Sequence, residues 1–162
     1  MARMIFLHGL ESGPRGTKAR WLAEHYGATT PKLDTSSVKA ALAVARRAVA
    51  EVPPDVVVAS SFGGAVAVAL LAEGVWTGPT VLIAPATRRL GRDDRLPANA
   101  RVVVLHGSAD EVIPLNDSRF LVEGSRADLR IVAGGNHRLN IILKDGTLAG
   151  VLSALGVVAT RP

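Results

Sequence analysis

The chain contains no cysteine, which excludes disulfide scaffolds, zinc–thiolate sites and cysteine nucleophiles at once. Aromatic residues make up only 4% of it, too few for the stacking platforms on which nucleic-acid bases are held. Lys and Arg outnumber Asp and Glu by 19 to 14, for a net charge of +5. Yet 15 of those 19 are Arg in an Ala- and Val-rich chain, a pattern of genome composition, and no basic block exceeds two residues. A nucleic-acid partner is therefore not expected. The longest apolar run, residues 65–72, falls far short of the ~20 residues needed to cross a bilayer. Residues 1–10 hold one Arg and no long apolar stretch ahead of His8-Gly9, so they do not read as a signal peptide. The expectation is a cytoplasmic protein with no membrane partner.

What is present is a well-mixed apolar sequence. With 48% hydrophobic residues over 162 positions, the chain suffices for one domain, 1–162, that buries roughly 70% of its unfolded surface. Short β-branched runs recur at 4–7, 56–58, 80–83, 102–105 and 129–132. Near-continuous apolar strands of this kind imply a sheet covered on both faces. A weaker sixth strand is read at 29–33, where Pro31 restricts it to an edge. Between the runs lie helical patterns. Val38, Ala41, Leu42, Ala45, Val49 and Val52 form one stripe, stopped by Pro53-Pro54, and residues 62–73 are apolar all round and end at Gly74. Further helices are read at 18–26, at 115–123 and before Gly156. Strand and helix in alternation predict an α/β fold: a doubly wound, mostly parallel sheet of about six strands, with ligands beyond the carboxyl ends of the strands.

The segments that follow strands are therefore the ones to read for chemistry. Val58-Ala59-Ser60-Ser61-Phe62-Gly63-Gly64 lies at a strand-to-helix junction. A nucleophile on such a sharp turn needs tiny residues two places before and after it, because the two limbs of the turn nearly touch. Centring on Ser61 puts Ala59 and Gly63 there; centring on Ser60 puts Val58 and Phe62 there, which is sterically poor. Ser61 is the candidate nucleophile. The alternative is a structural turn in which Ser merely caps the helix.

A hydrolase of this architecture runs Ser, acid, His along the chain. His25 falls within a helix, His8 precedes Ser61, and His106 precedes the best acid, so His137 in Gly134-Gly135-Asn136-His137 is the candidate base. For the acid, Asp110 in His106-Gly107-Ser108-Ala109-Asp110 follows the penultimate run, with Glu111 its nearest rival. Asp55 lies at the wrong end of its strand, and Asp93 and Asp94 read as a solvated charge cluster among Arg residues. In this architecture an oxyanion hole takes the N–H after the nucleophile, here Phe62, and one from the loop after the first strand, with Leu10 the candidate. His8 then shapes a turn and need not titrate.

On these motifs the sequence resembles the α/β-hydrolase superfamily, and within it the compact bacterial YqiA-type esterases. The segment His8-Gly9-Leu10-Glu11-Ser12-Gly13-Pro14-Arg15-Gly16-Thr17-Lys18-Ala19 is similar to that family's opening motif. Ser60-Ser61-Phe62-Gly63-Gly64, Asp110-Glu111-Val112 and Gly134-Gly135-Asn136-His137 are similar to its elbow, acid and histidine segments, in the same order. Ala59 departs from the Gly usual in the elbow, and residues 86–100 are shorter than in many relatives. The resemblance implies triad roles for Ser61, Asp110 and His137, a small carboxylic ester or thioester as substrate, and no metal or organic cofactor. Two other readings remain: amide or peptide hydrolysis by the same residues, and a catalytically silent hydrolase fold used as a binding module.

Two expectations concern the surroundings of the site. Residues 86–100, charged and short, leave no room for a helical lid, so the site should be open, with Leu10, Phe62 and Leu139 as apolar walls. Arg15, Lys18, Arg88, Arg89, Arg92 and Arg138 all follow strands and are candidates to rim the pocket and favour an anionic substrate group.

Overall fold

The structure, a computed structural model, describes residues 1–160. Five strands form one parallel sheet in the order β1 (Met4–Leu7), β2 (Val56–Ser60), β3 (Thr80–Ile83), β4 (Val102–Gly107) and β5 (Asp128–Val132). β1 to β4 are buried along their whole length, while β5, at the edge, has only exposed and half-buried residues.

The sixth strand reduces to a single bridge, Ile5 to Thr29. Thr29 N–H donates to the Met4 carbonyl at 2.9 Å, and Phe6 N–H donates to the Thr29 carbonyl at 2.9 Å. A parallel ladder would next require the N–H of residue 31, and Pro31 has none. The proline anticipated at a sheet edge thus ends the strand after one step.

That bridge nonetheless makes the sheet doubly wound. From β1 the chain steps outward to Thr29, through α1 (Thr17–Tyr26), and then returns across β1 through α2 (Val38–Glu51) to β2 on the inner side. From there each strand lies beside its predecessor, joined through α3 (Phe62–Ala72) and then, between β4 and β5, α4 (Leu115–Val122). Right-handed crossovers in opposite directions place helices on opposite faces. One core accordingly gathers Ile5, Leu7, Val57, Ala59, Leu82 and Val104 with α2, α3 and Leu121 of α4. The other gathers Met4, Phe6, Val58, Val81, Ile83 and Leu105 with α1, α5 (Ile141–Lys144) and α6 (Thr147–Ala154).

The helices follow from local sequence. Ser37 caps α2 by accepting from the Ala40 N–H at 3.0 Å, and Ala41, Leu42, Ala45 and Val49 form its buried stripe. α3, apolar all round, is buried from Phe62 to Leu71. No helix among the described residues is long and apolar enough to cross a membrane.

Candidate active site

The C-terminal ends of β1 and β2 flank the point where the chain reverses direction across the sheet, so the loops leaving them diverge and open a crevice. Ser61 sits there, between the last residue of β2 and the first of α3, with φ 52° and ψ −114°. A non-glycine residue in that region is strained by about 1–3 kcal/mol, and the surroundings must hold it. The Ser61 N–H donates to Ile83 O at 2.9 Å, while its carbonyl accepts from Ala86 N–H at 3.1 Å and Ala65 N–H at 3.3 Å. The two glycines that follow Ser61 and Phe62 meet real constraints. A Cβ on Gly63 would fall 2.1 Å from the Leu7 carbonyl oxygen, and one on Gly64 would fall 2.8 Å from Pro85.

Ser61, His137 and Asp110, far apart in the chain, are brought into one line. Ser61 Oγ lies 3.0 Å from His137 Nε2, and His137 Nδ1 lies 2.9 Å from Asp110 Oδ2. Because an ionised carboxylate only accepts, Nδ1 carries the ring proton and Nε2 is free to accept from the serine hydroxyl. The Asp110 side chain is fully buried, and its Oδ1 accepts from the N–H groups of Val112 at 2.9 Å and Ile113 at 2.8 Å. Burial by itself would raise the Asp110 pKa, but those amides and His137 together outweigh it and hold the carboxyl below its usual value. Glu111, the rival acid, is exposed.

The sequence did not single out His106 as part of this group, yet its Nε2 lies 3.3 Å from Asp110 Oδ2 and 2.9 Å from the Ile113 carbonyl. A carbonyl cannot donate, so Nε2 bears the proton, and Nδ1 accepts from the Ser118 hydroxyl at 2.7 Å. The spacing of four residues between His106 and Asp110 was the available signal. The acid and histidine loops are also fastened directly. Ser108 Oγ accepts from Gly134 N–H at 2.8 Å, and Ala109 N–H donates to Gly135 O at 3.0 Å. The fit is so close that a Cβ on Gly107 would fall 2.1 Å from the Gly135 carbonyl oxygen.

On the other side of Ser61, His8 holds the loop after β1. The Leu33 N–H donates to Nε2 at 3.0 Å, so the proton is on Nδ1, which donates to the Gly9 carbonyl at 2.8 Å. In a trans peptide, the C=O and the following N–H point opposite ways, so tying down the Gly9 carbonyl fixes the direction of the Leu10 N–H. A Cβ on Gly9 would sit 3.5 Å from that of Ser61, so this peptide runs directly beside the serine. Among the described residues, neither the Leu10 N–H nor the Phe62 N–H donates to a protein acceptor.

The crevice encloses about 420 Å³ beside Ser61 and His137. Leu10, 54% exposed, and Val112, 46% exposed, are its large apolar residues. Phe62 and Leu139 do not serve as walls. Phe62 packs its ring into the core beneath α3, while Leu139, at φ 52°, is turned into the core with α5 and α6. Lys18 and Arg138 line the crevice, joined by Arg20, but Arg15, Arg88, Arg89 and Arg92 do not. The last three belong to residues 86–100, none of which reaches the crevice. There a 3-10 turn at Arg88–Leu90 is followed by the pairs Arg92–Asp94 at 2.6 Å and Arg95–Glu123 at 3.7 Å, and Leu96 plugs into the core.

No protein-family model and no curated protein matches the chain by sequence. Its fold does match solved structures. A proposed hydrolase of the alpha/beta superfamily from Xanthomonas campestris superposes with a TM-score of 0.76 at 24% identity, over 96% of this chain and 97% of that one. The chain has the α/β-hydrolase fold. A second Xanthomonas campestris protein, described as an α/β serine hydrolase without lid, matches with a TM-score of 0.70 at 21% identity over 94% of this chain and 81% of that one. An α/β serine hydrolase homologue from Coxiella burnetii matches with a TM-score of 0.70 at 14% identity over 94% and 84%. Ser61 lies between strand and helix where that sheet reverses direction.

Proposed function

We propose that this protein is a serine hydrolase that cleaves a small carboxylic ester or thioester. The observation that carries the reading is the unbroken relay from Ser61 Oγ through His137 to a buried Asp110, with contacts of 3.0 and 2.9 Å, at the carboxyl edge of an α/β-hydrolase sheet.

In the reaction Ser61 Oγ attacks the acyl carbon as His137 Nε2 takes its proton. Asp110 keeps His137 in the tautomer that leaves Nε2 open and stabilises the imidazolium once it forms. The carbonyl oxygen, now negative, receives the N–H groups of Leu10 and Phe62, which have no protein acceptor among the described residues. The positive end of α3 adds to that stabilisation. The tetrahedral intermediate collapses, the C–O or C–S bond breaks, and His137 delivers its proton to the leaving group. Water, deprotonated by His137, attacks the acyl-enzyme in the same geometry and releases the acid and free Ser61. No metal or organic cofactor enters these steps, and residues 1–162 act as a single domain without a lid.

A panel of 4-nitrophenyl esters from acetyl to dodecanoyl, with matched anilides, tests this reading. Expected are turnover of the esters, little of the anilides, and loss of about 10⁴-fold in kcat in Ser61→Ala. Undiminished ester turnover in Ser61→Ala would overturn the reading.

A further inference from the structure

One wall of the crevice carries a charge cluster that the proposed reaction leaves unused. Lys18 and Arg20 from the start of α1, and Arg138 beside His137, all line it, and among the described residues Glu11 is the only carboxylate in its lining. None of these three cations has a carboxylate within 4.0 Å among the described residues. Arg88, Arg92 and Arg95, by contrast, all have one.

Lys18 is the informative member because it is half-buried. Its ammonium donates to the Arg138 carbonyl and to Asn140 Oδ1, the latter at 3.0 Å, and its third N–H has no acceptor among the described residues. Burial, and then repulsion from the Arg138 guanidinium, lower its pKa to about 8. Withdrawing an ammonium from water beside another cation, with no acid to compensate, opposes folding. A solvated surface would leave such a lysine free to extend. Here it is fastened in place, between the nucleophile's crevice and the loop that carries His137.

We propose that Lys18, Arg138 and Arg20 form a subsite for a compact anion, and that the substrate is an ester bearing a second acidic group, a carboxylate or a phosphate, at the end remote from the scissile bond. This rests on the hydrolase reading of Ser61 and adds the class of substrate. A bound anion supplies the acceptor that the third Lys18 N–H lacks and offsets the repulsion between Lys18 and Arg138. Glu11 reduces the local charge but leaves the wall net positive.

The test compares 4-nitrophenyl hemisuccinate and hemiglutarate with the neutral butanoate and pentanoate at low ionic strength, in the unaltered enzyme, Lys18→Met, Arg20→Gln and Arg138→Gln. The readout is the ratio of kcat/KM for anionic over neutral ester, which cancels any general loss of activity or folded protein. The ratio is expected to exceed about ten and to fall by about tenfold in Lys18→Met and in Arg138→Gln. Succinate and inorganic phosphate, used as competitive inhibitors of butanoate turnover, separate the two anions, and the tighter one names the group. A ratio near one in an enzyme that hydrolyses the neutral esters, or a ratio unmoved by both substitutions, overturns the subsite and leaves the hydrolase standing. Failure to hydrolyse any of the four esters overturns the hydrolase reading itself.

Discussion

Two histidines face the same carboxylate oxygen: His137 Nδ1 at 2.9 Å and His106 Nε2 at 3.3 Å from Asp110 Oδ2. His106 is wholly buried, and both of its nitrogens are committed, one to the Ser118 hydroxyl and the other to the Ile113 carbonyl and Asp110. The His137 side chain is 22% exposed, and among the described residues its second nitrogen meets only the Ser61 hydroxyl at the edge of the crevice. Both far nitrogens meet a serine hydroxyl, so what separates the two histidines is access: Ser118 is buried with His106, whereas Ser61 and His137 line the crevice. Ser118 and Ile113 turn His106 into a brace. In the proposed mechanism, the opening to the crevice lets His137 carry a proton.

Substitutions can break this contrast in a ranked order. His137→Gln should lower kcat by about 10⁴-fold with little change in thermal stability, and Asp110→Asn should follow closely because it favours the wrong tautomer. His106→Gln should act mainly on stability. It strands the Ser118 hydroxyl and the Ile113 carbonyl in the core, which costs about 1–3 kcal/mol in a denaturant titration. Its kcat should fall only about tenfold, through a looser Asp110. A loss in His106→Gln equal to that in His137→Gln, with unchanged stability, would erase the distinction.

Acid titration sharpens the same point. The folded Asp110 pKa lies below its ordinary value, so its contribution to stability is complete above the unfolded pKa of about 3.9 and is lost as pH falls through the lower folded value. Melting temperatures measured from pH 6 to pH 2 should decline less steeply in Asp110→Asn than in the unaltered protein. The smallest effect concerns the acyl chain. With Leu10 and Val112 the large apolar residues of the crevice, each added methylene soon stays in water and forgoes up to about 0.8 kcal/mol of burial. Across the ester panel, kcat/KM should therefore peak between acetyl and hexanoyl. A steep rise out to dodecanoyl would reveal a deeper apolar channel.

How far the sequence anticipates this molecule depends on whether the information is local. The run 80–83 coincides with β3, and the amphipathic stripe with α2, because β-branched runs and helical periodicity are set by neighbouring residues. Ser61 is singled out by the small residues Ala59 and Gly63 on either side of it, but the crowding at Gly63 comes from the Leu7 and His8 backbone of β1 and its loop, a partner the local sequence does not reveal. Asp110 and His137 are legible through chain order. The contact of His106 with Asp110, four residues apart, depends on the loop after β4 turning back on itself; the inward turn of Leu139 depends on a backbone reversal that no side-chain pattern marks, and the pairs of Arg88 with Asp117 and of Arg95 with Glu123 on partners distant in sequence. α5 is only four residues long, too short to impose a period. The sixth strand fails at Pro31 because its missing N–H matters only once the register with Phe6 is known.

The central claim is that Ser61 is the nucleophile that His137 and Asp110 activate. Incubation with a fluorophosphonate, followed by tryptic digestion and mass spectrometry, tests it most directly. One phosphonyl adduct is expected, on Ser61 and not on Ser60, absent in Ser61→Ala and formed much more slowly in His137→Gln. An adduct on Ser60, or labelling that persists at the same rate in Ser61→Ala, would contradict it.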